Sequence, residues 1–198
     1  MYDNDDTDPY TDPATGVLRN KLDIADAEEL AVVEDHVVTI RLAELYLQPL
    51  AGRFDLAHLC AIHGRLFDEL YNWAGKIRTV TISKGGTTFC FPAFIERYAG
   101  QIFGALAKES YLIGVGQDDF TRRMAYYLAE INAIHPFREG NGRSQREFLR
   151  QLGVKVGYEI RWQEVSAAEM TAASIKGMNG DLSGFEDIFR SIARTLRS

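Results

Sequence analysis

The sequence predicts an all-α fold: a helical bundle interrupted by one β-hairpin. Three observations carry this. Apolar residues recur at three- and four-residue spacing through several long segments. A single stretch, 77–91 (IRTVTISKGGTTFCF), instead alternates β-branched and aromatic residues around Gly85-Gly86. Of 198 residues, 46% are hydrophobic and 25% charged, which suits one packed core and argues against disorder or a coiled coil. The expectation is a single domain over residues 1–198.

Residues 1–17, rich in Asp, Thr, Gly and Pro, read as part of an irregular arm over 1–20, with Pro9 and Pro13 breaking any helix. Helical spacing sets in from about Leu22, through Leu30, Val33, Val37, Ile40, Leu42 and Leu45. A second helix is expected over Asp55–Tyr71, where Leu56, Leu59, Cys60, His63, Leu66 and Phe67 share one stripe. The hairpin over 77–91 follows. Further helices are expected over about Pro92–Ser110 and Asp118–Ile134, and from Asn141 to a stop near Gly153. The stretch from Ser166 onward reads as one or two shorter helices.

Several function classes are disfavoured at once. The net charge of −6 gives no electrostatic drive to wrap nucleic acid. No apolar run approaches the roughly 20 residues that span a bilayer. The acidic opening MYDNDDTDPY is no signal peptide. Two cysteines, Cys60 and Cys90, make no disulfide framework, so a reducing bacterial cytoplasm is expected.

The chemistry concentrates in 135–146, HPFREGNGRSQR. His135 ends one helix and Pro136 terminates it. Gly140, Asn141 and Gly142 then allow a turn whose successive N–H groups form an anion nest, beside the positive end of the next helix. Arg143 and Arg146, three apart, lie on one face of that helix and offer forked donors for phosphate oxygens. Glu139 places a carboxylate suited to Mg²⁺ beside them, and His135 is the nearby proton acceptor. Any one of these occurs in inert helix corners; their coincidence in one segment points to phosphoryl or nucleotidyl transfer. Catalytic work is thereby assigned to the helix–loop–helix over 118–153.

HPFREGNGR plus Arg146 is similar to the signature of Fic proteins, His-x-Phe-x-(Asp/Glu)-Gly-Asn-Gly-Arg-x-x-Arg, at every position. YNWAGKIR (71–78) with the hairpin resembles the family's approach to its active-site flap, and DPYTDPATGVLRNKLDI resembles the start of bacterial Fic toxins and Bartonella effectors. The resemblance implies a Fic-fold helical bundle that uses ATP and Mg²⁺ to place AMP on a hydroxyl of a target protein. It implies His135 as general base, Phe137 as core anchor and Glu139 as Mg²⁺ ligand. Gly140, Asn141 and Gly142 would cradle the phosphates, the Asn141 side chain steadying the α-phosphate, with Arg143 at the β- and Arg146 at the γ-phosphate. The hairpin would be the flap on which an extended target segment docks by β-augmentation. Lys84 at its tip and Phe89 or Phe91 near its far end are the flap residues to test, Lys84 and Phe91 being counted with the nucleotide-binding set. Gln151 and Tyr158, beyond the signature, are candidates for ribose or adenine contact. Phosphate-transferring relatives carry Lys at the position of Gly142, so Gly142 favours AMP transfer.

Elsewhere the bland reading is preferred. Cys60 and His63 lack further ligands at zinc spacing and are assigned to the core, as are Trp73 and Trp162; His36 and His58 receive no role. Many Fic proteins carry an inhibitory (Ser/Thr)-x-x-x-Glu-(Gly/Asn) helix; the only Glu here followed by Gly or Asn is Glu139, preceded four positions earlier by His135. The resemblance therefore implies a small antitoxin that supplies a Glu to Arg146, and a toxin acting on DNA gyrase and topoisomerase IV. Effector relatives that modify host GTPases in the host cytosol usually carry a C-terminal secretion domain, for which a chain ending at Ser198 leaves no room. The same scaffold would also suit a Fic-fold phosphotransferase or an inactive nucleotide-binding module.

Overall fold

The structure, a computed structural model, describes residues 8–196; residues 1–7 of the expected arm and the last two of the chain lie outside the described residues. The arm turns on itself through a bridge between Thr11 and Leu18. Helix α1 (Ala27–Leu47) begins where the Asp26 carboxylate accepts the Glu29 N–H, five residues later than the periodicity suggests. Helix α2 (Leu56–Phe67) begins likewise, Asp55 accepting the His58 N–H.

The hairpin is shorter than expected. Strands β1 (Ser83–Lys84) and β2 (Thr87–Thr88) pair antiparallel around Gly85-Gly86, and both glycines have positive φ, 57° and 77°, as a type I′ turn requires. The flanks of 77–91 stay irregular because their polar groups bond elsewhere: the Arg78 N–H donates to the Pro136 carbonyl and the Cys90 N–H to the Ala133 carbonyl.

Pro92–Phe94 forms a 3₁₀ turn leading into α3 (Ile95–Lys108). Two longer elements then build the site, α4 (Gln117–Ile134) and α5 (Asn141–Lys155). α4 is the central helix, packed against α3, α5 and the C-terminal pair α6 (Ala167–Met178) and α7 (Ser183–Ile192). Leu59, Ile62, Phe67, Phe120, Tyr127, Phe137, Phe148 and Phe189 fill the shared core with no exposed surface. Each such apolar side chain contributes about 1.5–3 kcal/mol by leaving water. A second small sheet escapes the sequence reading: β3 (Tyr158–Ile160) pairs antiparallel with β4 (Ala193–Thr195). Three residues of Tyr-Glu-Ile are too short to register as alternation. Among the described residues no helix is long and apolar enough to cross a membrane.

Candidate active site

The candidate catalytic corner lies between α4 and α5. His135 caps α4 in the left-handed region (φ 42°, ψ 65°), its N–H still donating to the Ile131 carbonyl. The strained cap turns the ring out of the helix. A carbonyl only accepts, so the 3.0 Å contact to the Asn132 oxygen places the proton on His135 Nδ1 and the lone pair on Nε2. The ring stacks on Phe89 of the hairpin at 3.8 Å and is 7% exposed. Burial foremost, and then the charges of Arg78 and Lys84, push its pKa down to about 3, so the imidazole is neutral near pH 7.

Three side chains hold the loop. Arg78, 1% exposed, donates Nε–H to the His135 carbonyl at 2.8 Å, and its other nitrogens to the carbonyls of Val80, Cys90 and Ile134. One guanidinium thus joins the catalytic cap to both flanks of the hairpin. Asn141 closes the turn on itself, Oδ1 accepting the Phe137 N–H at 2.9 Å and Nδ2 donating to the Phe137 carbonyl at 2.7 Å. The carboxamide expected at the α-phosphate is therefore engaged in shaping the loop. His63 lies in the core as expected, stacked on Phe137 at 3.9 Å, yet it also bonds the loop. Nδ1 accepts the Gly75 N–H, which leaves Nε2–H to donate to the Glu139 carbonyl at 3.0 Å. Burial lowers its pKa to about 4, which keeps this one tautomer. The sequence reading gives His63 only a place in the core and Arg78 only a place in the segment 71–78, because neither residue's type carries a signal of what it meets 50 or more residues away.

Gly140 takes φ 79°, and a Cβ there would lie 2.3 Å from Phe67 Cζ, so the close approach demands glycine. A Cβ on Gly142 would sit 3.2 Å from Arg146 Nη1, beside the guanidinium. Arg143 is held by Glu34 of α1 at 2.5 Å, which also accepts the Tyr71 hydroxyl, and it lies over the Phe67 ring. Its second carboxylate neighbour is Glu139, at 3.8 Å. Arg146 is largely desolvated, and among the described residues no carboxylate pairs with it; burial and then Arg143 lower its pKa. Glu139 is partly exposed and accepts the Gly140 N–H at 2.8 Å. No group of three or more His, Cys, Asp or Glu among the described residues forms a cation cage. A single open carboxylate beside a phosphate nest still fits Mg²⁺, which commonly binds through one or two carboxylates and the substrate's own phosphates.

Other sites differ from expectation. Phe89, not Phe91, covers His135; Phe91 is 56% exposed and lines a 600 Å³ cavity with Phe94, Tyr98 and Met178. Lys84 stands beside the turn and acts on His135 through its charge. Gln151 and Tyr158 are buried and bonded internally, to Glu147 and to the Val115 carbonyl, and Tyr158 stacks on Phe120; both are corrected to structural roles. His58, left without a role, is buried, with its ring edge-on to Phe54 and tilted against Phe148. Trp162 packs on Phe189 as expected and donates to the Arg146 carbonyl.

The Fic/DOC family model matches residues 53–152. The chain is 48% identical over 174 residues to the protein adenylyltransferase VbhT of Bartonella schoenbuchensis, covering 88% of this chain and 36% of that protein. It is 40% identical over 183 residues to the Salmonella typhimurium "Probable protein adenylyltransferase Fic", covering 92% of this chain and 90% of that protein. Among solved structures, the N-terminal Fic domain of a Bartonella quintana VirB-translocated Bep effector with bound ADP has a TM-score of 0.88 at 28% identity, covering 95% of each chain. BepC of Bartonella tribocorum with bound AMPPNP has a TM-score of 0.88 at 26% identity, covering 95% of this chain and 97% of that one.

Proposed function

The chain belongs to the Fic/DOC family, and from that premise we propose that it is a protein adenylyltransferase, moving AMP from ATP to a Tyr, Ser or Thr hydroxyl of a target protein. One observation carries the reading. A neutral His135 with its lone pair on Nε2 stands at the same corner as the Gly140–Gly142 turn and two arginines.

In this reaction His135 Nε2 takes the proton of the target hydroxyl as its oxygen attacks the α-phosphorus. The bond from that phosphorus to the α–β bridging oxygen breaks, and pyrophosphate leaves. The turn and the N-terminus of α5 bind the phosphates, so positioning and charge neutralisation supply most of the rate. A free-enzyme base held near pKa 3 is weak. Bound polyphosphate offsets the fields of Arg78 and Lys84, the smaller causes of that depression, and raises the basicity in part, while the effect of burial stays. Glu139 would hold Mg²⁺, which neutralises phosphate charge. Arg143 and Arg146 take the β- and γ-phosphates; Arg143 exchanges part of its pairing with Glu34 for phosphate. Gly142, where a Cβ would stand 3.2 Å from Arg146 Nη1, leaves that guanidinium room at the cradle and favours AMP over phosphate transfer.

The hairpin is the docking edge for an extended target segment, with Phe89 setting the ceiling over His135. The desolvated Arg146, without a carboxylate partner among the described residues, suits inhibition by a Glu from a separate antitoxin. The toxin reading, with gyrase and topoisomerase IV as targets, rests on resemblance to the toxin branch of the family, and a host-directed effector is the second reading.

The test is bacterial lysate labelled from ATP carrying the label on the α- or the γ-phosphate, with His135→Ala as control. Labelling from the α position alone, lost in the variant, supports the reading. Labelling from γ alone makes the protein a phosphotransferase, and labelling from neither overturns transfer from ATP.

A further inference from the structure

The arm described from residue 8 onward packs along both sides of the catalytic corner. Asp8 and Arg138 are 130 positions apart, yet their side chains form an ion pair in which each is only 4% exposed. Asp8 Oδ2 accepts from Arg138 Nε at 2.9 Å and from Nη2 at 2.8 Å. The carboxylate is itself aimed by its own strand, since Oδ1 accepts the Tyr10 N–H at 3.0 Å and Oδ2 the Thr11 hydroxyl at 2.9 Å. Arg138 sits between Phe137 and Glu139, inside the loop that carries the phosphate turn. Two residues further along the arm, the Tyr10 hydroxyl accepts the Thr79 N–H at 3.0 Å and lies 3.3 Å from the Thr79 hydroxyl. Its ring meets Trp73 edge-on at 5.6 Å. Thr79 follows Arg78, the residue that grips the His135 carbonyl. The arm is a closed unit: Arg19 N–H donates to the Tyr10 carbonyl at 2.8 Å and Asp12 N–H to the Val17 carbonyl at 2.8 Å.

A buried charge pair whose acid comes from the irregular arm is expensive to form unless it orders something. What it reaches is the catalytic loop on one side and the root of the hairpin on the other. We propose that the arm is a positioning element of the active site, in which Asp8 sets the loop through Arg138 and Tyr10 sets the flap root through Thr79. Neither residue touches substrate. Both act through backbone that carries His135 and Phe89. The kinetic consequence rests on the transfer reading above, whereas the ordering of the loop does not.

Asp8→Asn and Tyr10→Phe are the test variants, in the full chain, read by amide hydrogen exchange and by transfer of α-labelled AMP. Asp8→Asn, which removes the charge facing the buried Arg138, is expected to speed exchange over 136–143 by about 10²-fold or more, and Tyr10→Phe over 79–90 by about tenfold, the loss of roughly one hydrogen bond. The kcat for transfer falls by a similar factor while melting temperature shifts little in Tyr10→Phe, which keeps the ring packing. A merely structural arm would lower melting temperature and leave kcat per folded molecule intact. Wild-type exchange over both segments together with wild-type kcat overturns the proposal. Should Asp8→Asn not fold, Tyr10→Phe decides alone. If the unaltered chain transfers no label, the exchange data still decide the positioning, and only the transfer reading fails.

Discussion

Replacing Gly140 by Ala tests the tightest geometric claim about the site. The residue takes φ 79°, and its Cβ would stand 2.3 Å from Phe67 Cζ and 2.4 Å from Cε2. The left-handed conformation costs an L-residue about 1–2 kcal/mol. Overpacking a rigid contact adds about 1–3 kcal/mol. Phe67 cannot yield cheaply, being fully buried between His63 and Tyr71 and capped by Arg143. Gly140→Ala should therefore lose about 2–5 kcal/mol in urea unfolding followed by far-UV circular dichroism. Transfer of α-labelled AMP should fall by about 10²-fold, the usual consequence of a displacement near 1 Å at a reacting centre. In a Phe67→Leu background the same change should cost only the backbone part, about 1–2 kcal/mol. A loss below about 1 kcal/mol in the single variant, or an equal loss in both backgrounds, refutes the steric argument.

Arg78→Lys keeps the charge but loses the fork that serves four carbonyls; the loss of one or two charge-assisted bonds predicts about 2–5 kcal/mol in the same unfolding assay. A stability unchanged from wild type would show that the guanidinium does not join loop to hairpin. Gly142→Ala behaves oppositely to Gly140→Ala: stability holds or rises by up to about 1 kcal/mol because Ala outranks Gly in a helix. Transfer from ATP nonetheless drops in Gly142→Ala, since the new Cβ stands 3.2 Å from Arg146 Nη1; equal activity in the two proteins argues against that crowding. Folding should also depend on pH through His63 and His135, whose pKa values fall to about 4 and about 3. In the unfolded chain both titrate near 6.5, so stability is full above that pH and declines as pH falls toward those values. Each contributes a slope of about 1.4 kcal/mol per pH unit in the interval. The variant His63→Gln, measured by urea unfolding at pH 7 and pH 5, should show a shallower decline than wild type; an identical slope refutes the assignment.

Much of the site was legible in order along the chain. His135, Pro136, the glycines and the arginines are contiguous, and a contiguous motif exposes its spacing without any knowledge of packing. Helix starts were also readable at Asp55 and Ser166, which offer capping oxygens, whereas the start of α1 was placed at about Leu22, ahead of its Asp26 cap. The hairpin turn was legible because two adjacent glycines permit what other residues resist. What the sequence reading misplaced depends on packing that spacing along the chain does not show. Gln151 and Tyr158 follow the signature closely but face Glu147 and Val115 rather than the nucleotide side. Phe89 and Phe91 are two apart and indistinguishable by type, and only packing selects the ring that covers His135.

The sequence by itself determined the helical class, the hairpin turn and one contiguous candidate site, because periodicity, turn chemistry and motif spacing are local properties. Tertiary structure alone decided which tautomer His135 holds, that Asn141 shapes the loop, that Arg143 meets Glu34, and that Arg78, His63 and Asp8 hold the corner together. Those outcomes depend on which donors and acceptors the fold brings together, some within a turn, as at Asn132 and Phe137, and others across long chain separations, because a polar group deprived of water takes whichever partner lies within reach.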